Sequence, residues 1–245
     1  MNFIVLASGR GSRLNKLTKK KPKCLVEIKN NKTLLDFISK NFSNKQNNIV
    51  VTGYKSNLIK KYLKNKNINF VKNKNYLRTN MVESLMLTKK KLTKGDLIVI
   101  YSDIFFDKKI INKIKKISGN IMPINSNWLM SWKKRYKSIK KIKSDAEDLL
   151  IAKRKIKSIG GKIEKQLPKF QFMGILKINR KTFNNLEKFY KLLNNKKISM
   201  TEFIDKSIKS KVAEFKCQPF KNFWYEVDNF QDLSFLKKDI KKYNY

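Results

Sequence analysis

Residues 3–7 are an unbroken apolar run with the length and bulk of a strand buried on both faces. Comparable runs return at 48–52, 68–71, 96–101 and 121–124. Between them the apolar residues fall at helical spacing. Leu34, Leu35, Ile38 and Phe42 follow a cap at Thr33, a second helix covers 58–63, and Met81, Leu85 and Leu92 follow Thr79 or Asn80. Strands alternating with helices predict a parallel sheet with right-handed crossovers. Farther on, the pattern predicts a helical turn at 128–135, a strand over 149–156 closed by a tight hairpin at Gly160 and Gly161, and a strand over 170–178. Helices at 183–193 and 200–208 follow, the second capped by Thr201, then strands at 212–217 and 222–228 and a last helix from about Phe230. The expected fold is α/β: a mixed, mainly parallel sheet with helices on both faces and a small peripheral insertion. One domain should span 1–245, with a seam between the halves 1–120 and 121–245.

The first strand runs into Ser8, Gly9, Arg10, Gly11, Ser12 and Arg13. Gly9 and Gly11 permit backbone angles closed to other residues, so consecutive N–H groups can turn toward an anion while Arg13 supplies charge. Only 8 of 245 residues are glycine, and two of them stand in this loop. The alternative is an ordinary turn with Arg10 and Arg13 as solvated charge. Ser102 and Asp103 follow the 96–101 strand directly, at the carboxyl edge where open α/β sheets gather ligands. The chain has only 18 acidic residues, which singles Asp103 out, although it would also serve as a helix cap before Asp107.

Composition then removes whole classes of chemistry. There is no histidine, hence no histidine base, triad or metal ligand, and any metal must be held by oxygen, which favours Mg²⁺. Cys24 and Cys217 resemble neither a disulfide framework nor a metal cluster, and read as packed thiols. A net charge of +40 suggests a polyanion partner, but the lysines are spread along the whole chain among Asn and Ile, as compositional bias would leave them. The expectation is therefore no specific nucleic-acid partner, with a basic nucleic-acid-binding protein without catalysis as an alternative. No apolar stretch approaches the roughly 20 residues of a membrane span, and no charged leader precedes the first strand, so a cytoplasmic protein without membrane insertion is expected. A homodimer stays open.

The loop continues as GxGSRLxxLTxxxPKCLVEI, from Gly9 to Ile28. This line resembles the nucleotidyltransferases of Rossmann-like fold that join a nucleoside triphosphate to a phosphorylated small molecule. The resemblance implies a loop of Ala7, Ser8, Gly9, Gly11 and Ser12 around the triphosphate, with Arg13 on it and Lys23 near the phosphates or the acceptor. The family usually places two alanines before the glycine, where this chain has Ala7 and Ser8. Later segments follow in family order: TNMVESL, SD after a strand, MGI and WYEVD. They imply Asn80 and Ser84 beside the base, Ser102 near the nucleotide, and Asp103 and Asp228 as Mg²⁺ ligands. Asn80 also reads as a helix cap, and Asp228 as a cap of the last helix.

Within that family the chain is most similar to the head-group cytidylyltransferases of the phosphocholine type. The resemblance implies transfer of CMP from CTP to a small phosphorylated or phosphonate acceptor, with release of pyrophosphate. A hexose-1-phosphate nucleotidyltransferase is the alternative. The halves then become a nucleotide-binding 1–120 and an acceptor-binding 121–245. Trp128 and Trp132, four apart, are expected to cover the acceptor's organic head, and Arg135 one turn on to pair with its phosphate, unless the two indoles only pack. Lys162, Gly174 and Glu226 complete the acceptor set.

Overall fold

The computed structural model describes residues 1–240. Its strands are β1 Asn2–Ala7, β2 Glu27–Lys29, β3 Lys32–Thr33, β4 Asn47–Thr52, β5 Asn69–Lys72, β6 Leu97–Tyr101 and β7 Ile104–Phe106. The second half adds β8 Ile121–Asn125, β9 Leu149–Ala152, β10 Lys155–Ile159, β11 Gln171–Phe172, β12 Ile175–Ile178, β13 Lys216–Phe220 and β14 Trp224–Glu226. Among the described residues the main sheet has ten strands in the order β5-β4-β1-β6-β12-β8-β13-β10-β9, with β11 paired to β8. Every residue of β1 is buried, and successive side chains alternate between faces, so the sheet is covered on both sides there. β1 pairs in parallel with β4 and β6, bringing Ala7 level with Thr52 and Leu6 level with Tyr101. The carboxyl ends of these three strands therefore meet along one edge. The sheet changes direction at β12, which is antiparallel to both β6 and β8.

Several elements differ from the sequence expectation for local reasons. The hairpin turn falls at Lys153 and Arg154, both in the left-handed region (φ 48° and 60°), and Gly160 and Gly161 lie beyond it. Two basic residues carry no turn signal of the kind that glycine pairs do. Ser199, rather than Thr201, caps the helix Met200–Lys209 by accepting the N–H of Glu202, and the hydroxyl of Thr201 turns to Glu147. The strand expected at 170–178 breaks at Gly174, whose φ is +69°. The strand expected at 212–217 lies later, at β13. Thr33 does cap the helix Leu34–Ser39, in a capping box with Asp36. Cys24 is buried, Cys217 is half-buried, and both are free thiols. No helix among the described residues is long and apolar enough to cross a membrane.

A second apolar cluster lies apart from the core under the sheet. Leu14, Val26, Ile28, Leu34, Phe37, Phe105, Val227, Leu233 and Leu236 pack together, with Leu17, Phe223 and Tyr225 against them. Phe105 meets Phe37 edge-on at 5.0 Å and stacks on Phe223 at 5.3 Å. Such ring pairs each contribute about 0.5–1.5 kcal/mol beyond burial. This cluster clamps four pieces of chain: the turn after the first loop, the segment 26–37, β7, and β14 with its following helix. β7 and β14 also pair with each other, Glu226 opposite Ile104, and the Val227 N–H donates to the Asp103 carbonyl at 2.9 Å.

Gly174 tests how tightly this edge is packed. A Cβ there would stand 3.0 Å from the Tyr101 ring, on a backbone that L residues rarely adopt. Gly174→Ala is expected to lower stability by about 1–3 kcal/mol, read as the midpoint of urea unfolding. Gly9→Ala is the control, because nothing lies within 4 Å of its Cβ position, and its midpoint should not move.

Candidate active site

The first loop is shaped by Gly11. Its φ of +72° starts the tight turn Ser12–Leu14, and its carbonyl accepts both the Leu14 N–H and the Thr18 hydroxyl. A Cβ at Gly11 would lie 2.6 Å from Cβ of Lys23, so the aliphatic stem of Lys23 rests directly on the loop. Pro22, in extended conformation, leads into the turn Lys23–Leu25 and fixes that approach. The glycine loop and the PKCL segment are thus one packed unit.

Lys23 is buried, yet its ammonium is doubly engaged. Nζ lies 3.0 Å from Asp103 Oδ2 and 2.6 Å from Asp228 Oδ1. Burial alone would lower the Lys23 pKa, but the two carboxylates outweigh it and the net shift is upward. Burial would likewise raise the Asp228 carboxyl, but Lys23, Arg13 and Arg135 hold it below its ordinary value. Arg13 Nη1 reaches Asp228 Oδ2 at 3.1 Å from a largely exposed side chain, a contact worth little by itself. Asn229, not Asp228, caps the last helix, which leaves the Asp228 carboxylate pointed at Lys23. Asp103 Oδ1 is buried without a hydrogen-bond partner.

Two cavities meet at this ion triad. One, of about 310 Å³, is lined by Ser8, Gly9, Gly11, Ser12, Arg13 and Lys23 on one side and by Asn73, Tyr76, Asn80, Met81, Ser84 and Ser102 on the other. Ala7 is buried beneath it. The Ser8 and Ser84 hydroxyls share a 2.9 Å hydrogen bond, and Asn73 Nδ2 donates to Ser84, so the loop is fastened to the helix Met81–Met86. Asn80 caps that helix, its Oδ1 accepting the Met81 N–H, and it lines the cavity as well. Asn73 and Tyr76 were not singled out from the sequence. Their signal is a polar stretch, NKNY, directly after β5 at the carboxyl edge.

The other cavity, of about 280 Å³, shares Arg13, Met81, Asp103 and Asp228 with the first. Its walls are Tyr101, Phe172, Trp132 and Trp224, with Asp145, Glu147 and Glu226 among them, and Gln171, Ser199 and Thr201 supply neutral polar groups. Trp132 and Trp224 stack at 5.4 Å. Burial first, and then the charges of Asp228 and Asp103, raise the Glu226 pKa well above the usual carboxylate range; Arg135 and Lys23 oppose them. Burial also raises Glu147, against the opposing hydrogen bond from Thr201.

Of the six acceptor residues expected from the sequence, only Trp132 and Glu226 line this cavity. Trp128 is buried, its indole donating to the Pro168 carbonyl at 3.1 Å, so it packs under the helix Trp128–Arg135. Arg135 is buried and paired with Asp232. Lys162 is exposed outside both cavities, and Gly174 lies against Tyr101. The helical spacing of the two indoles was right, but one face of a helix still divides between core and cavity.

The donor set suits a hard divalent cation. Two carboxylates already converge on one cation, the Lys23 ammonium, and Asp103 Oδ1 has no other partner. Among the described residues no group of three or more Cys, Asp or Glu is placed to cage a metal. Such a cation would take its remaining oxygens from a ligand or water.

A nucleotidyl transferase family profile matches residues 2–242. The CTP:phosphoglutamine cytidylyltransferase of Campylobacter jejuni is 31% identical over 251 residues, covering 95% of this chain and 98% of that protein. The CTP:phosphocholine cytidylyltransferase of Streptococcus pneumoniae superposes with a TM-score of 0.73 at 22% identity, over 98% of each chain. The inositol-1-phosphate CTP transferase of T. maritima gives 0.72 at 20% identity, over 98% of this chain and 96% of that one. With its glycine loop, Lys23 and two aspartates gathered at one edge of the sheet, the chain belongs to the nucleotidyl transferase family.

Proposed function

We propose that the protein transfers CMP from CTP to a small phosphorylated or phosphonate non-sugar acceptor, releasing pyrophosphate. The observation that carries this reading is the Lys23 ammonium held by Asp103 and Asp228 where the two cavities join. A nucleotide in the first cavity and an acceptor in the second would meet there. An acceptor phosphate oxygen attacks the α-phosphorus in line, a new P–O bond forms, and the bond to the bridging oxygen of pyrophosphate breaks. The attacking phosphate is already ionised, so a chain with no histidine needs no base for this step.

What remains is positioning and charge neutralisation. Ser8, Gly9, Gly11 and Ser12 line the first cavity, where their backbone N–H groups would meet the phosphates, and Arg13 and Lys23 would balance the charge that develops on them. Asp103 and Asp228 would hold Mg²⁺, which when bound polarises the phosphoryl oxygens. Asn73, Asn80 and Ser84 form the polar wall on which the base would rest. The choice of CTP is supported by the C. jejuni relative, whose name gives CTP and phosphoglutamine as its substrates and which aligns over nearly its whole length.

The second cavity also bears on the acceptor. Asp103, Asp145, Glu147, Glu226 and Asp228 line it in a chain with only 18 acidic residues, and among the described residues Arg13 is the one basic side chain on its wall. Aromatic faces beside carboxylates suit a head group with a positively charged nitrogen, as in a phosphorylated amino acid or phosphocholine.

Asp103→Ala and Asp228→Ala are each expected to abolish Mg²⁺-dependent pyrophosphate release without changing the far-UV circular dichroism. Wild-type turnover at limiting Mg²⁺ in either variant would remove the metal assignment. Lys23→Ala and Arg13→Ala should each lower turnover by about a hundredfold, the usual loss when a group that neutralises transition-state charge is removed. Lys19→Ala, Lys20→Ala and Lys21→Ala should be nearly silent; equal losses at all five positions would indicate a diffuse basic patch. In an acceptor screen, Trp132→Ala and Glu147→Gln are expected to raise KM for phosphocholine or a phosphorylated amino acid more than they lower kcat. Preferential turnover of glucose 1-phosphate would transfer the assignment to the hexose-1-phosphate enzymes.

A further inference from the structure

The guanidinium of Arg135 is committed inside the protein. Its side chain is 6% exposed; Nε lies 2.6 Å from Asp232 Oδ1, and Nη2 donates to Asp232 Oδ2 at 3.1 Å. Nη2 also lies 3.5 Å from Asp145 Oδ2, the oxygen that accepts the Trp132 indole N–H at 2.9 Å. Cζ stands 4.7 Å from the centroid of the Trp132 ring. Arg135 thus braces two walls of the second cavity, Trp132 and Asp145.

Its partner Asp232 faces the other way as well. Asp232 Oδ2 accepts the main-chain N–H groups of Asp228 at 2.8 Å and Asn229 at 3.0 Å, fixing the turn from which the Asp228 carboxylate projects. We infer that Arg135 is a positioning residue: through Asp232 it sets the aim of Asp228, and through Asp145 and Trp132 it ties that aim to the acceptor cavity. The inference rests on the reading of Asp228 as a metal ligand.

Stability alone does not account for the arrangement. Replacing a buried ion pair with apolar side chains is often neutral or stabilising, and here Arg135 Nη1 is buried with no hydrogen-bond partner. An apolar pair would fill the space, but it would not orient the Asp228 N–H. The Asp232 carboxylate does that, and the planar fork of Arg135 holds the carboxylate by both oxygens.

The test is titration of Mn²⁺ into the full-length protein with CTP present, following the electron paramagnetic resonance of free Mn²⁺, which gives affinity and site number separately. Arg135→Met should weaken Mn²⁺ by about tenfold with site number unchanged, although Arg135 touches neither proposed ligand side chain. Arg135→Lys should recover only part of the loss, because an ammonium keeps the charge and loses the fork. If Arg135→Met is insoluble, Asp232→Asn carries the same expectation. Trp128→Phe loosens the same helix by removing the bond to Pro168 and should leave the affinity as in wild type. Wild-type affinity in Arg135→Met or Asp232→Asn, or fewer sites at unchanged affinity, would overturn the inference and leave a structural ion pair. Absence of a Mn²⁺ site in the wild-type protein would instead overturn the metal reading, and the inference with it.

Discussion

One ammonium group holds the functional edge of this protein together. Lys23 reaches carboxylates 80 and 205 residues farther along the chain, at 3.0 and 2.6 Å. A buried lysine is costly unless paired, and two half-buried carboxylates this close repel each other, so the ammonium needs both aspartates and offsets the repulsion between them. The pairing of β7 with β14 brings the two aspartates together, and the second apolar cluster fastens that ribbon beneath the glycine loop. Gly11 lets the stem of Lys23 lie flat on the loop, so the nucleotide and carboxylate sides of the edge share one packing solution.

Charge is distributed with a similar logic. A chain of net charge +40 would be expected to surround any cavity with lysine. The second cavity is instead lined by five acidic residues and, among the described residues, by the single basic side chain of Arg13. The first sets Arg13 and Lys23 against the shared Asp103 and Asp228, with the backbone of the glycine loop beside them. The two cavities therefore differ in their balance of acidic and basic side chains, while both open onto Asp103 and Asp228. That contrast suits the two substrates proposed, a nucleotide bringing several negative charges and an acceptor with a polar or cationic head.

Much of this was legible in the sequence, for identifiable reasons. β1, β4, β6 and β8 are each built on a short apolar run, and such runs bounded by polar residues place strands well. The glycine loop, Lys23, Asp103 and Asp228 come together at one edge because each follows a strand or packs on the loop after one. The hairpin at Lys153 and Arg154 was illegible because basic residues in left-handed conformation give no sequence signal. Trp128 and Arg135 were misplaced for another reason: spacing assigns residues to one helical face but does not say what covers it. Pro168 covers the one and Asp232 the other. Gln171, Ser199 and Thr201 could not be read in advance, since their approach to the cavity depends on the packing of α and β segments far apart in the chain.

Lys23, Asp103 and Asp228 are the proposed centre of metal-assisted CMP transfer. Anomalous diffraction from crystals grown with CTP and Mn²⁺ addresses it most directly. The account requires a Mn²⁺ peak within about 2.2 Å of carboxylate oxygens from both Asp103 and Asp228, with the triphosphate along the Ser8 to Ser12 loop and Lys23 Nζ turned to a phosphate. A nucleotide bound elsewhere, or Lys23 still bridging both carboxylates with no metal beside them, would contradict it.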